Sequence, residues 1–206
     1  MKLTSRDLIF GGINGLIFGI LSPVVIQAFH APKQPHYLLV VLFFTILAPI
    51  GIFIGYQLGK IKPFFFQLAK FGATGAANFA IDIGIFLFLL FSFNNNENTA
   101  IPWFTYATFK TISFVMASIN SYLWNKFWSF QDKDTDDIPQ ELSKFILVSA
   151  IGALINVSTS TISNSLYNSS NPQMDIEAWG AIAAIIGSIC AFSWNFIGYK
   201  LLVFKK

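Results

Sequence analysis

Six apolar runs, each about 20 residues or longer and separated by short polar breaks, decide what this chain can become. They lie at roughly Leu8–Phe29, Tyr37–Leu58, Phe64–Phe93, Phe104–Phe127, Leu142–Tyr167 and Ala178–Phe204. Inside hydrocarbon, runs of this length satisfy their own backbone N–H and C=O groups as helices. The expected fold class is therefore an all-α polytopic membrane protein with about six transmembrane helices. Composition agrees: only 11% of the 206 residues are charged, and 24 Phe with 5 Trp exceed what a soluble domain of this size buries. Pro23 and Pro49 fall inside the first two runs and predict kinks, because neighbouring helices re-satisfy the freed backbone groups. The single cysteine, Cys190, excludes an intramolecular disulfide and a cysteine metal cluster.

Basic residues orient the spans. Lys2 and Arg6 precede the first run; Lys60, Lys62 and Lys70 surround the second connection, Lys126, Lys133 and Lys144 the fourth, and Lys200, Lys205 and Lys206 close the chain. The opposite side carries only Lys33, so both termini are expected on the cytoplasmic side. Charges placed beside spans, and not gathered on one soluble face, give no nucleic-acid footprint. The first run is longer than a signal-peptide core and is read as a retained anchor. Between the halves, Gln131–Gln140 carries Asp132, Asp134, Asp136 and Asp137 but lacks the Gly and Glu spacing of a calcium loop, so it reads as a solvated linker. The loops Asn94–Ala100 and Asn168–Glu177 are polar; the sequon at Asn168 matters only in a eukaryotic secretory membrane.

Two stretches keep step at an offset of 74 residues: Lys70-Phe71 with Lys144-Phe145, Ala117 with Ala191, Lys126 with Lys200 and Phe130 with Phe204. Residues 68–130 and 142–204 thus read as duplicated two-helix hairpins. A two-span unit returns to its starting side, so the copies are parallel and an axis along the membrane normal should relate them. The third and fifth spans are then expected to oppose matching faces across a groove. Gly75, Asn78 and Asp82 share one helical face, with Ser149, Gly152 and Asn156 at equivalent positions. Small residues suit close helix packing, whereas an amide or carboxylate in lipid needs a partner or water.

Asp82 is the one acidic residue deep within a span and Lys110 the one comparable base. At about 1.5 Å per residue, Asp82 lies about 12 Å and Lys110 about 10 Å from the outer edge of a core about 30 Å thick. They are therefore expected at one level, either as a structural pair or as part of a substrate path, with outward snorkelling of Lys110 as an alternative. In the second copy Asn156 and Ala184 take their places, leaving one charged and one neutral wall. The closing segments, Ser121-Tyr122-Leu123-Trp124-Asn125-Lys126-Phe127-Trp128-Ser129-Phe130 and Asn195-Phe196-Ile197-Gly198-Tyr199-Lys200-Leu201-Leu202-Val203-Phe204, combine aromatic and basic groups. Interfacial anchoring explains those groups, yet Asn120, Asn125 and Asn195 add hydrogen bonding that anchoring does not require.

Together with Phe71-Gly72-Ala73-Thr74-Gly75-Ala76-Ala77-Asn78-Phe79-Ala80-Ile81-Asp82, these segments resemble the GtrA-like family of small polytopic membrane proteins, over about residues 66–204. The resemblance implies a role in cell-surface polysaccharide synthesis: movement of polyprenyl-phosphate-linked sugars across the bacterial inner membrane, alongside a polyprenyl-phosphate glycosyltransferase. Domains are then a hairpin at 1–62 and a GtrA-like four-helix domain at 63–206. The hairpin departs from the family's common four spans; it covers a groove side, contacts a partner, or represents an eroded third copy in which Gly11 and Asn14 echo Gly75 and Asn78.

The expected substrate-binding residues are Asn78, Asp82, Lys110, Asn120, Asn125, Lys126, Asn156, Asn195 and Lys200, with the last lysine of each closing segment drawing the headgroup in. No catalytic residues, metal or cofactor are expected: neither His30 nor His36 lies in a core span, no span holds two carboxylates, and no phosphate-binding Gly loop follows a strand. The bilayer, the lipid-linked sugar and the glycosyltransferase are the expected partners. The stripe Gly180, Ala184, Gly187 and Ala191 serves either packing within the chain or a second copy of it as a further partner. A small-molecule transporter and a scaffold for the glycosyltransferase are the alternative functions.

Overall fold

The computed structural model describes residues 2–28, 36–93, 103–132, 134, 136–165 and 176–204, and every regular element among them is helical. Six α-helices follow in order: α1 Ser5–Ala28, α2 Tyr37–Gly59, α3 Phe64–Phe93, α4 Trp103–Trp124, α5 Ile138–Ser165 and α6 Ile176–Gly198. The shortest has 22 residues, about 33 Å at about 1.5 Å per residue and enough for a core about 30 Å thick. Among the described residues, four stretches are also apolar enough to cross a membrane: α2, α3, Ile138–Ser163 in α5, and Ile186–Val203, which runs from α6 to five residues beyond its end. Leu39, Phe43, Phe88, Phe91, Leu147 and Leu154 are among many large apolar side chains left exposed, a surface suited to hydrocarbon. Helix α2 continues through Pro49, where the sequence predicts a kink. The loop at 94–100, the sequon at Asn168, and Lys33, Lys133, Lys205 and Lys206 lie outside the described residues.

The helices group into two compact units, Met1–Gln131 and Asp132–Lys206. In the first, α1 opens on a reciprocal cap. The Thr4 Oγ1 accepts the Asp7 backbone N–H at 3.3 Å, and the Asp7 Oδ2 accepts the Thr4 N–H at 3.0 Å and its hydroxyl at 2.7 Å. Every fourth residue of α1 from Gly11 to Gly19 is glycine, and this stripe faces α2. A Cβ on Gly15 would meet the Phe44 carbonyl oxygen and the Ala48 methyl; one on Gly19 would come within 2.9 Å of the Val41 Cα. Such spacing lets two backbones touch. Gly55 does the same between α2 and α3, its absent Cβ occupied by the Ala69 methyl. The core of this unit gathers Ile52, Phe66 and Trp128, with Leu8, Phe10 and Tyr56 packed around them. Residues from the N-terminal hairpin are thus built into the same core as α3 and the end of α4.

Helices α4 and α6 do not simply stop. Each runs into a five-residue π-helical turn, Asn125–Ser129 and Tyr199–Val203, closed by Phe130 N–H donating to the Asn125 carbonyl at 2.9 Å and Phe204 N–H to the Tyr199 carbonyl at 2.8 Å. The two turns begin 74 residues apart, the offset at which the sequence copies align. Ring contacts keep the same register: Phe71 meets Phe130 at 6.2 Å and 52°, and Phe145 meets Phe204 at 6.3 Å and 51°. In the linker, Asp132 and Asp134 turn their carboxylates onto backbone N–H groups two residues ahead, at 2.9 and 3.0 Å.

Candidate functional site

At the end of the first unit where α1 and α3 begin and α4 finishes, a charged cluster lies below the surface. Lys70 is 1% exposed and its Nζ pairs with the Asp7 Oδ1 at 2.5 Å. The Trp128 Nε1 donates to the same oxygen at 3.1 Å, across 121 residues of chain. Above the ammonium stand the Phe66 ring at 4.2 Å and the Trp128 ring at 5.8 Å. Phe10 meets Trp124 and Trp128 edge to face at 5.2 and 5.9 Å. The cation is thus held by one carboxylate and two aromatic faces, a desolvated arrangement in which each contact is stronger than in water. Sequence reasoning missed Asp7, treating charges at span ends as flanking groups. The available signal was one acid and one base, each at the inner end of an apolar run and so at one depth.

Of the residues expected from sequence, Asn78, Asp82, Lys110, Asn120, Asn125 and Lys126 lie in the first unit. Asp82 accepts the fully buried Ser113 hydroxyl at 2.7 Å, a bond joining α3 to α4. Ser113 was not singled out from sequence, although it follows Lys110 by three residues and shares its face. The Lys110 backbone belongs to α4, and its side chain lies outside the described residues, as does its expected pairing with Asp82. Asn125 and Lys126 open the first π-helical turn, and both are buried. The Asn125 Nδ2 donates to the Ser121 carbonyl at 2.9 Å and its hydroxyl at 3.2 Å. Lys126 is fully buried, so any action of its charge comes from inside the unit.

Asn156, Asn195 and Lys200 lie in the second unit. Asn156 reaches the Ser188 hydroxyl at 3.5 Å, and the Asn195 side chain fills the space a Cβ on Gly152 would take. Lys200 sits over the Phe196 ring at 5.9 Å. Beside them, Tyr199 stacks on Phe145 at 4.3 Å, its hydroxyl 2.6 Å from the Ser149 Oγ. Because the Ser149 proton goes to the Phe145 carbonyl at 2.8 Å, Tyr199 is the donor between the two hydroxyls. Tyr199→Phe keeps the stack and removes that bond, and is expected to lower stability by about 1 kcal/mol. Thermal unfolding in detergent reads the effect; an unchanged midpoint would mean the hydroxyl pair adds nothing.

Buried amide atoms without a hydrogen-bond partner recur in both units. Among the described residues, the Asn14 Oδ1, Asn78 Oδ1, Asn120 Nδ2, Asn125 Oδ1 and Asn195 Oδ1 are all in this state. All of these residues but Asn14 fall within 70–204, the stretch matched by the family model described as GtrA/DPMS, transmembrane domain. The chain belongs to this family. The GtrA/DPMS match opens on Lys70, so Asp7, its counter-ion, comes from the hairpin that precedes the matched region. Both π-helical turns lie within the GtrA/DPMS segment. No curated protein and no solved structure matches the chain.

Proposed function

We infer that this GtrA/DPMS protein carries polyprenyl-phosphate-linked sugars across a bacterial inner membrane, as a flippase with no covalent step. The four unpartnered buried amide atoms within residues 70–204 carry the reading. Each unpaired polar atom costs about 1–3 kcal/mol in a folded chain, and sugar hydroxyls supply the missing partners while the polyprenyl tail stays in lipid. What the protein removes is the penalty of moving polar groups through hydrocarbon. Asp82, anchored by Ser113, accepts hydrogen bonds from the sugar hydroxyls; Lys110 offsets the phosphate charge; Asn156 and Lys200 extend the polar path. Both termini face the cytoplasm, where a polyprenyl-phosphate glycosyltransferase loads the carrier.

The test is headgroup translocation in liposomes that hold a polyprenyl-phosphate sugar in both leaflets, read by an impermeant reagent. Protein-dependent access to the inner pool is expected. Because a hydrogen bond to a charged group is worth about 1.5–3 kcal/mol, Asp82→Asn should slow access about ten- to a hundredfold. Full flipping in both Asp82→Asn and Lys110→Ala would overturn the reading in favour of a scaffold. Equal transport of a free sugar would point to a small-molecule transporter.

A further inference from the structure

A cavity of about 190 Å³ opens at the end of the first unit, beside the charged cluster, lined by Lys2, Gln67, Lys70, Ser129 and Gln131 among others. At about 30 Å³ for each water-sized group it has room for about six, enough for a tetrahedral phosphate and its ester oxygen. None of the residues expected from sequence to bind substrate lines it. Three observations give it a chemistry. Lys70 has three N–H donors, of which Asp7 takes one while Phe66 and Trp128 close off neighbouring directions. Ser129 is 2% exposed, and its hydroxyl has no hydrogen-bond partner among the described residues. Gln131, at the rim, holds a left-handed backbone (φ 55°) that non-glycine residues rarely adopt.

The charges also balance in one direction. Lys2 and Lys70 are the cations on the cavity, and Asp7 offsets one of them, leaving one positive charge for a ligand. Two ammonium groups and the Ser129 hydroxyl present several donors to one small volume. A carboxylate has two oxygens to offer them, whereas a phosphate ester has three or more. We propose that this cavity binds a phosphate group, with the Ser129 hydroxyl and the ammonium groups of Lys70 and Lys2 as its donors. The site stands on its own geometry; where the bound group is a lipid phosphate, it deepens the carrier reading by assigning that phosphate a docking point beside the π-helical turn.

Full-length protein in phosphatidylcholine nanodiscs is titrated by calorimetry with farnesyl phosphate and, separately, with inorganic phosphate, against protein-free nanodiscs. Ser129→Ala removes a buried hydroxyl that has no partner among the described residues, so it should fold at least as well as the parent. Loss of a hydrogen bond to an anion should nevertheless weaken binding about tenfold. Lys2→Ala, outside every helix, should weaken it several-fold. Weakening confined to farnesyl phosphate assigns the site to a lipid phosphate, and weakening with both probes to free phosphate as well. Unchanged affinity in both variants, or no saturable binding of either probe, overturns the proposal. A chain that binds farnesyl phosphate through Ser129 but does not accelerate flipping keeps the site and loses the carrier reading. Flipping without Ser129-dependent binding does the reverse.

Discussion

Replacing Asp7 by alanine should cost the folded chain about 3–5 kcal/mol, because it leaves the Lys70 ammonium in the interior with no counter-ion. Three other bonds fail at the same time. The Trp128 indole loses its acceptor, and Thr4 loses the acceptor for both its N–H and its hydroxyl. The aromatic faces over Lys70 cannot compensate, since a cation–π contact contributes about 2 kcal/mol even when desolvated. The measurement is unfolding of the purified protein in mixed micelles, with the double variant Asp7→Ala/Lys70→Met alongside. Removing both charges should recover most of the loss, since much of the penalty in the single variant is an unpaired charge held away from water. A single variant costing less than about 1 kcal/mol would give the pair no more weight than a surface ion pair.

Gly15→Ala is expected to be the next most damaging change, at about 1–3 kcal/mol from overpacking. The added methyl would collide with the Phe44 carbonyl oxygen and the Ala48 methyl, and a carbonyl fixed in a helix has no rotamer by which to move away. Helices α1 and α2 would have to part. Gly51 in α2 is the internal control, because nothing lies within 4 Å of the Cβ it would gain. Gly51→Ala should therefore stabilise by about 0.4–1 kcal/mol through the unfolded chain. The opposite signs at two glycines of one helical hairpin separate close packing from helix propensity. Equal shifts in melting temperature would show that α1 and α2 do not meet at Gly15.

The spans were legible because hydrocarbon leaves few choices for a backbone. Residues 64–93 were expected as one helix and form one, and α2 ends one residue beyond its expected limit. The π-helical turns were not legible. A switch from i+4 to i+5 bonding at Asn125 and Tyr199 needs only a one-residue register change, which has no compositional mark. Asp82 was singled out as an acid deep within a span and is half-buried, but depth alone could not name Ser113, since a hydroxyl costs too little in lipid to stand out. The pair of Asp7 and Lys70 escaped for the opposite reason. Both lie at span ends, where a charge is cheap in a single helix and informative only once two helices are known to meet.

Trp128 donates to Asp7 across 121 residues, and this sets an order on assembly at the ribosome. Asp7 is made 121 residues before its indole donor, which is added just after the fourth helix. At about 5–20 residues per second the interval is about 6–24 s. Throughout that time α1 and α2 can form their glycine seam, whose two sides are complete early, but the acid at the start of α1 waits for Lys70 and then for Trp128. The first unit is therefore completed by its last-made turn, and a nascent chain halted before α4 holds the Asp7–Lys70 pair without the indole that closes over it.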